Sequence, residues 1–397
     1  MPSNKKDIYD RLRENVMNEL GQDIDLGDAR LMKTIDTVLD RASFDFGLRL
    51  KDRLELRDRL FNSFRRLDVL QELLDDKTVT EIMINSPTEI FIEKNNRIKR
   101  WELSFENSER LEDIIQQIVS RINRRVNTSH PIADARLEDG SRVHIVLPPI
   151  ALKGPTVTIR KFPEPLEMER MIGTGTITRD AAELLRELVQ SGYNIFISGG
   201  TSSGKSTFLN ALSAYIPEDE RVITIEDSAE LKIRHVKNLV SLETRDANSE
   251  GDGEINMSML IKASLRMRPD RIIVGEVRGA EALDMLSAMN TGHDGSLSTG
   301  HANSTEDMLT RLESMVLMAV ELPLTAIKKQ IAAGLDIMVH LQRLRDHSRR
   351  VTEISEIKGY EDGEIRLNRL FEYNHQTNRL ESCGRLIHRE KLELKGR

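Results

Sequence analysis

A glycine-rich segment between a predicted strand and a predicted helix has residue types and spacing that suit phosphate chemistry. Residues 199–206 read GGTSSGKS and fit the pattern G-x-x-x-x-G-K-[ST]. The apolar run 195–197 comes before this segment, and the helical run 207–212 follows it. Glycines allow several backbone N–H groups to face one anion, and the following helix adds its positive amino-terminal end. Lys205 can reach the β and γ phosphates of a nucleotide, and the Ser206 hydroxyl can coordinate Mg²⁺.

An acidic cluster follows the predicted strand 221–226. Glu226, Asp227 and Glu230 stand at or just after the end of its apolar residues. Ligands of an open α/β sheet lie beyond the carboxyl ends of the strands, so these side chains are expected near the phosphates. A carboxylate there can orient an attacking water or support the shell of the metal. Carboxylates also favour helix amino termini, so the prediction depends on the phosphate loop that precedes the cluster.

A second acidic strand, RIIVGE, spans residues 271–276 and ends on a glutamate. This is the form expected of a second acidic strand in a P-loop enzyme, with Glu276 acting on Mg²⁺ through water. Gly275 stands where such enzymes usually have a strand-ending aspartate. The pattern therefore predicts a metal-linked carboxylate, with one departure at the residue before it.

The segment 290–304, NTGHDGSLSTGHANS, places His293 and His301 among glycines and serines. No softer ligand lies nearby in the sequence, so a zinc site is not favoured. The segment predicts an element that senses the γ-phosphate, and a flexible loop is the alternative.

Arginines near these segments are candidates for neutralising charge in a transition state, as arginine fingers do. The sequence alone does not choose among them. The candidates are Arg124, Arg125, Arg136, Arg142 and Arg160 before the phosphate loop, and Arg245, Arg266, Arg268 and Arg278 around the acidic segments.

Composition and charge bound the possible functions. The chain has 397 residues, enough for two or three domains. Its net charge of −7 argues against nucleic-acid binding over the whole protein surface, so no direct nucleic-acid partner is expected. The single cysteine, Cys383, excludes an intrachain disulfide and a cysteine zinc site. No signal peptide is expected, and no apolar run is long enough for a transmembrane segment.

Apolar spacing predicts an α/β protein with several parts. Residues 1–67 repeat apolar positions at helical spacing and predict a helical module. Residues 68–162 mix short β-rich runs with a helix and predict an α+β domain, and the proline-containing stretch 163–176 predicts a linker. Residues 177–397 alternate apolar strands with helices, as in a nucleotide-binding core, and are expected to end in helices and a hairpin. Strands of this core are predicted at 194–198, 221–226, 238–242, 271–275, 295–299 and 335–341.

The four chemical segments, in this order, resemble the secretion-ATPase superfamily of type II secretion, type IV pili and type IV secretion. In that family a glycine before the strand-ending glutamate is normal, which accounts for Gly275. The greatest similarity is to CpaF-type (TadA-type) ATPases of tight-adherence pili, carried by residues 133–162, 264–304 and 311–341. Ser202 departs from the family loop, which usually has glycine there.

This resemblance implies a P-loop (RecA-like) ATPase core after a PAS-like α+β domain, with ATP and Mg²⁺ as cofactors. It implies a homo-hexameric ring in the cytoplasm, peripheral at the inner face of the cytoplasmic membrane, with inner-membrane platform proteins as partners. ATP hydrolysis would drive a tight-adherence pilus, either its assembly alone or both assembly and retraction, or a type II-related secretion process.

The resemblance also implies roles for individual residues. Glu230 or Glu226 would polarise the attacking water, and His301 would contact the region of the γ-phosphate. Ser206 and Glu276 would hold Mg²⁺, the latter through water. Arg136, Arg142 and Arg160 are the candidate arginine contacts of the smaller domain. The implied nucleotide-binding residues are Gly199, Gly200, Thr201, Ser202, Ser203, Gly204, Lys205, Ser206 and Thr207.

Two other functions fit the same segments. A type IV secretion traffic ATPase that moves protein or DNA shares most of them. A nucleotide-gated scaffold with little hydrolysis is the alternative of another class, and the three glutamates Glu226, Glu230 and Glu276 argue against it.

Overall fold

The computed structural model describes residues 5–21, 27–95, 97–120, 126–162, 165–245, 247 and 252–395. The chain folds as two compact units, Met1–Pro163 and Glu164–Arg397. Both units combine helices with a sheet, which confirms the predicted α/β class. Among the helices described, none has the length and apolar character needed to cross a membrane.

The first unit begins with helices whose apolar faces pack on one another. Leu12, Ile35 and Leu60 come from three of them and are completely buried. Residues spaced by four lie on one face of a helix, so the apolar spacing of the sequence becomes a shared core. The helices of this unit are α1 (Lys5–Leu20), α2 (Asp28–Phe46), α3 (Leu50–Arg65), α4 (Val69–Asp75) and α5 (Ser108–Ser120).

An antiparallel sheet of six strands completes the first unit, in the order β3-β2-β1-β6-β5-β4. Its strands alternate buried and exposed residues, because successive side chains point to opposite faces. The buried face packs with α4 and α5 in a core separate from that of α1 to α3. The strands are β1 (Val79–Ser86), β2 (Glu89–Lys94), β3 (Arg97–Arg100), β4 (Ile132–Arg136), β5 (Arg142–Val146) and β6 (Thr156–Arg160).

The second unit is built on a mixed sheet of nine strands, in the order β15-β14-β13-β12-β7-β11-β10-β8-β9. Its strands are β7 (Ile195–Gly199), β8 (Arg221–Glu226), β9 (Asn238–Glu243), β10 (Arg271–Val277), β11 (Leu297–His301), β12 (Ile337–Arg343), β13 (Arg349–Glu361), β14 (Glu364–Asn374) and β15 (Arg379–Ser382). Its helices are α6 (Met168–Gly173), α7 (Arg179–Gln190), α8 (Lys205–Ser213), α9 (Met257–Ser264), α10 (Glu281–Met289), α11 (Thr305–Ala319), α12 (Leu324–Gly334) and α13 (Glu390–Lys395).

The strands from β12 to β9 in this order run parallel. Two hydrophobic clusters cover the two faces of the sheet, and β7 contributes Ile195 and Ile197 to one and Phe196 to the other. Strands buried on both faces read as continuous apolar runs, which is why the sequence predicted them well. Parallel order also places the carboxyl ends of β7, β8, β10 and β11 at one edge, where the four chemical segments meet.

Two parts of the second unit differ from the sequence prediction. The predicted linker 163–176 contains α6, whose Met168 and Met171 are buried in the core. The carboxyl-terminal part was predicted as helices and a hairpin, and it contains α11, α12 and α13 and the hairpin of β13 and β14. In addition, β13, β14 and β15 extend the sheet, which the prediction did not include. Charged side chains alternate with apolar ones in these strands, so the sequence pattern did not indicate buried residues such as Ile354 and Leu370. The division of the first unit at residues 67 and 68 stays a prediction.

Candidate active site

The glycine-rich segment forms a tight loop between β7 and α8. Gly199 ends β7, and a Cβ there would clash with the carbonyl oxygen of Leu341. Gly204 precedes α8 with a φ of 97°, a left-handed conformation that favours glycine. The two positions therefore need glycine for different reasons. Gly199 lies against the backbone of another strand, and Gly204 makes the left-handed turn into the helix.

Ser202 adopts the left-handed conformation without being a glycine, with a φ of 59°. This conformation costs a residue with a Cβ about 1–2 kcal/mol. The glycine that the family usually has at this position is therefore explained by the backbone. The remaining residues of the loop and the first turn of α8 are Gly200 and Thr207, half-buried, Thr201 and Ser206, exposed, and Ser203, buried.

Lys205 is buried and lies across the loop. Its Nζ donates hydrogen bonds to the carbonyl oxygens of Gly199 and Gly200 over 3.2 and 3.1 Å. It also lies 3.2 Å from Nδ1 of His301 at the end of β11. An ammonium group only donates, so Nδ1 accepts and the proton of the neutral imidazole is on Nε2. Lys205 thus fixes the tautomer of His301.

His301 continues this chain of contacts to the acidic strand β10. Its Nε2 lies 2.6 Å from Oε1 of Glu276. Burial and the neighbouring Lys205 ammonium lower the pKa of His301, while Glu276 acts in the opposite direction. The neutral ring therefore carries its proton on Nε2, the ring nitrogen that lies beside the Glu276 carboxylate. The sequence predicted both residues, and the structure brings them together.

Arg278 closes the chain on the other side of Glu276. Its Nη2 donates to Oε2 of Glu276 over 2.6 Å, and its Nη1 lies 3.4 Å from Oδ2 of Asp227. Sequence reasoning placed Arg278 among nine arginines without a role. A signal was available, because Arg278 is only two positions after Glu276, directly beyond Val277, the last residue of β10.

Glu226 ends β8 and is buried, with 4% of its surface exposed. Its Oε1 accepts hydrogen bonds from the backbone N–H groups of Glu230 and Leu231 over 2.9 and 3.1 Å. Its Oε2 has no hydrogen-bond partner among the described residues. Burial raises the pKa of Glu226 to about 7. Glu230, the other predicted base, is half-buried and supplies a backbone N–H that orients Glu226.

The glycine that replaces an aspartate before Glu276 has a steric reason. A Cβ on Gly275 would lie 2.9 Å from Cγ of Glu226. Side-chain atoms do not approach this closely without a shift of one partner. The buried carboxylate of Glu226 therefore occupies space that a side chain at position 275 would need.

We expect Gly275→Ala to destabilise the protein by about 1–3 kcal/mol, the usual cost of overpacking a core site. Thermal and urea unfolding followed by circular dichroism measure it. In a Glu226→Ala background, which lacks Cγ, the same substitution should cost less than about 1 kcal/mol. Gly173→Ala is the matched control, because a Cβ on Gly173 meets nothing within 4 Å. Equal costs of Gly275→Ala in both backgrounds would contradict the steric explanation.

The three candidate arginines lie side by side on the sheet of the first unit. Arg136 is opposite Arg142, and Arg142 is opposite Arg160. Arg142 and Arg160 are exposed, and Arg136 is half-buried. Carboxylates partly neutralise this row, because Glu81 is opposite Arg160 and Oδ1 of Asp134 lies 3.4 Å from Nη2 of Arg142. Arg124 and Arg125 lie outside the described residues.

The predicted Mg²⁺ residues suit a cation held mainly by water and phosphate. Ser206 is exposed at the first turn of α8, and Glu276 is a carboxylate at the same sheet edge. Among the described residues, no group of three or more histidine, cysteine, aspartate or glutamate side chains forms a metal cage. Mg²⁺ keeps several waters and binds through few protein ligands, so this donor set fits it.

Comparison with known proteins bears on the family and the fold of the chain. A putative conjugal transfer protein of Mycobacterium tuberculosis strain H37Rv is 34% identical over 297 residues, covering 73% of this chain and 84% of the relative. The type IV secretion system protein PtlH of Bordetella pertussis is 31% identical over 324 residues, covering 75% of this chain and 94% of PtlH. The crystal structure of the Legionella pneumophila ATPase DotB is similar in fold, with a TM-score of 0.52 and 20% identity, covering 74% of this chain and 80% of DotB.

The family match extends over most of the chain and includes the site residues of the second unit described above. It runs from residue 65 to residue 390 and is to the family described as type II/IV secretion system protein. The phosphate loop, the acidic strand ends and the histidine of β11 all fall within it. The chain therefore belongs to the type II/IV secretion system protein family.

Proposed function

We propose that this protein is an ATP-hydrolysing motor of a type IV secretion or conjugal-transfer machine that moves protein or DNA. One observation carries the proposal of hydrolysis. Lys205, His301, Glu276 and Arg278 form a continuous chain of contacts at the sheet edge that also holds buried Glu226. A protein that only binds nucleotide does not need a buried carboxylate beside a chain of this kind.

The relatives support the choice of machine. Two of them carry names of conjugal transfer and type IV secretion, and each is covered over most of its length. The sequence favoured a tight-adherence pilus motor, with the traffic ATPase as the alternative. The relatives favour that alternative, and the pilus function stays a prediction.

The roles proposed for the loop follow from its geometry. The backbone of residues 199–207 would surround the phosphates, and Lys205 would exchange its two loop carbonyls for phosphate oxygens. Mg²⁺, when bound, neutralises charge on those oxygens, and Ser206 and Glu276 would hold it, Glu276 through water. His301 adjoins Lys205 and would therefore lie near the γ-phosphate.

Glu226 is the group we propose as the general base. In its ionised form its free Oε2 takes a proton from the attacking water. The water oxygen then bonds to the γ-phosphorus while the bond to the β–γ bridging oxygen breaks, and ADP leaves with that electron pair. Glu230 keeps Glu226 oriented through its backbone N–H.

The assembly and surroundings of the motor are part of the proposal. We propose a homo-hexamer in the cytoplasm, at the inner face of the membrane, that acts on inner-membrane platform proteins. A contact of Arg136, Arg142 and Arg160 with nucleotide phosphates is part of the proposal, because guanidinium groups pair well with phosphate oxygens.

Steady-state phosphate release from the purified protein tests hydrolysis. We expect Mg²⁺-dependent turnover that falls by at least about 100-fold in Glu276→Ala, because that variant loses the carboxylate shared by His301 and Arg278. ADP binding measured by calorimetry should change less than about fivefold. Glu321→Ala, an exposed glutamate between α11 and α12, is the matched control. Nucleotide binding without phosphate release in the wild type would favour the scaffold.

A strain that lacks the gene tests the machine. We expect loss of export of protein or DNA, restored by the wild-type gene and not by the gene for Glu276→Ala. Loss of surface pili with normal export would instead support the pilus function.

A further inference from the structure

The turn that joins β12 to β13 lies beside the phosphate loop because β12 is longer than its neighbour β7. The two strands pair in parallel as far as Leu341, which is opposite the last residue of β7, Gly199. β12 then continues to Arg343, beyond the end of β7. The returning strand β13 starts at Arg349, directly opposite Arg343. The start of β13 is therefore placed at the level of the loop.

Arg349 contacts the phosphate loop at two points. Its Nε donates a hydrogen bond to the carbonyl oxygen of Ser202 over 3.0 Å. Its Cδ lies 3.2 Å from the position that a Cβ would take on Gly204, so the aliphatic stem covers that glycine. The turn that carries Arg349 is itself held, because Asp346 accepts hydrogen bonds from the N–H and the hydroxyl of Ser348. Arg349 therefore follows a turn that hydrogen bonds hold in place.

Ser202 is the residue of the loop whose backbone most needs such support. Within the described residues 199–206 it is the one non-glycine residue with a positive φ. A Cβ disfavours this conformation, so an unsupported serine loop would spend more time in other shapes. Gly204, with a φ of 97°, does not have this penalty. The apparent affinity for nucleotide equals the intrinsic affinity multiplied by the fraction of time that the loop spends in its phosphate-binding shape.

We propose that Arg349 is a positioning residue that holds the phosphate loop in its binding shape by fixing the left-handed backbone at Ser202. This role rests on the proposed function, because it concerns nucleotide binding by the same loop. Arg349 acts through the Ser202 carbonyl and the face of Gly204 and not by touching the phosphates. The arginine therefore compensates for a serine at a position that suits glycine.

Arg349→Met tests the proposal, since methionine keeps an aliphatic stem over Gly204 and loses the donor to Ser202. We expect ADP binding, measured by calorimetry, to weaken on the order of tenfold. KM for ATP should rise by a similar factor, while kcat falls less than about threefold. Arg345→Ala is the matched control, because Arg345 is an exposed arginine of the same turn. It should change ADP affinity less than about twofold.

A double-mutant cycle with Ser202→Gly separates positioning from direct contact. Whatever affinity Ser202→Gly has by itself, Arg349→Met should cost less than about threefold in that background, because glycine needs no support. Thermal melting of each variant shows that the loss is not a loss of fold. An equal loss in both backgrounds would mean that Arg349 contacts the nucleotide itself, and no loss in either would mean that the contact is idle. Both results overturn the proposal.

The wild type distinguishes this inference from the proposed function. If the wild type binds ADP and the cycle shows no coupling, positioning by Arg349 is wrong and the nucleotide site stands. If the wild type fails to bind ADP under the same conditions, the proposed function is wrong, and with it the role of Arg349.

Discussion

Replacing Lys205 with alanine is expected to lower Mg²⁺-dependent ATP turnover by at least about 100-fold and to remove measurable ADP binding. The ammonium group is buried at the floor of the loop, where its interaction with phosphate is poorly screened by water. In the structure its Nζ donates hydrogen bonds to the carbonyl oxygens of Gly199 and Gly200. No other side chain of the described loop carries a positive charge. Phosphate-release assays and calorimetry with ADP measure the two effects.

The same variant should change the titration of His301 in a known direction. The Lys205 ammonium lowers the pKa of His301, so its removal should raise that pKa. The ring would then gain its second proton at a higher pH, beside the Glu276 carboxylate. Nuclear magnetic resonance of the histidine ring protons measures this change in the pKa of His301 in the absence of nucleotide.

Lys237→Ala is the matched control for Lys205→Ala. Lys237 is exposed in the same unit, and its ion pair with Glu218 has an N···O distance of 3.4 Å. An exposed pair of this kind contributes about 1 kcal/mol or less, so turnover and stability should remain close to wild type. Turnover at the wild-type level in Lys205→Ala would refute the assignment of the loop.

The parts of the fold that the sequence predicted well are those with one dominant local signal. β7, β8 and β10 are short apolar runs buried on both faces, and their bounds agree with prediction to within about two residues. The phosphate loop depends on glycines whose spacing is set by backbone geometry. Such signals lie within a few residues of each other, so they can be read without knowledge of the rest of the chain.

The parts that were missed depend on contacts between distant residues. The exclusion of a side chain at Gly275 comes from Glu226 on another strand, 49 positions earlier in the sequence. The contact of Arg349 with Ser202 spans 147 positions. The strands β13 to β15 bury residues because β13 pairs with the edge strand β12 and β14 then pairs with β13. No local pattern contains this information, since it arises from the order of the strands.

The second large effect is expected from Glu226→Gln, which keeps the shape of the side chain and removes its charge. Loss of the general base should lower kcat by about 100- to 10,000-fold. The glutamine oxygen can still accept the N–H groups of Glu230 and Leu231, so ADP affinity should change less than about threefold. Phosphate release at saturating ATP and calorimetry with ADP measure the two quantities.

The pH profile of the wild type is part of this prediction. Because burial raises the pKa of Glu226 to about 7, the base is protonated and inactive at pH 6 and ionised at pH 8. Turnover should therefore rise with pH through about 7, and the residual rate of Glu226→Gln should lack this step. Glu243→Gln is the control, because Glu243 is opposite Glu226 on β9 and its charge contributes to the raised pKa. It should move the step to lower pH and leave the plateau in place.

The same pKa also fixes the sign of an effect on stability. The folded protein holds the Glu226 proton up to about pH 7, whereas the ordinary pKa of a glutamate is 4.5. Stability contributed by this group is therefore complete below about 4.5 and is lost as the pH rises through about 7. Glu226→Gln, which has no charge to bury, should be more stable than the wild type at pH 8, by on the order of 2 kcal/mol, and equal to it near pH 4.5. An inactive variant that melts higher than the wild type at pH 8 and equally near pH 4.5 would show that burying the Glu226 charge destabilises the fold, whereas equal melting temperatures at pH 8 would refute the buried, ionised base.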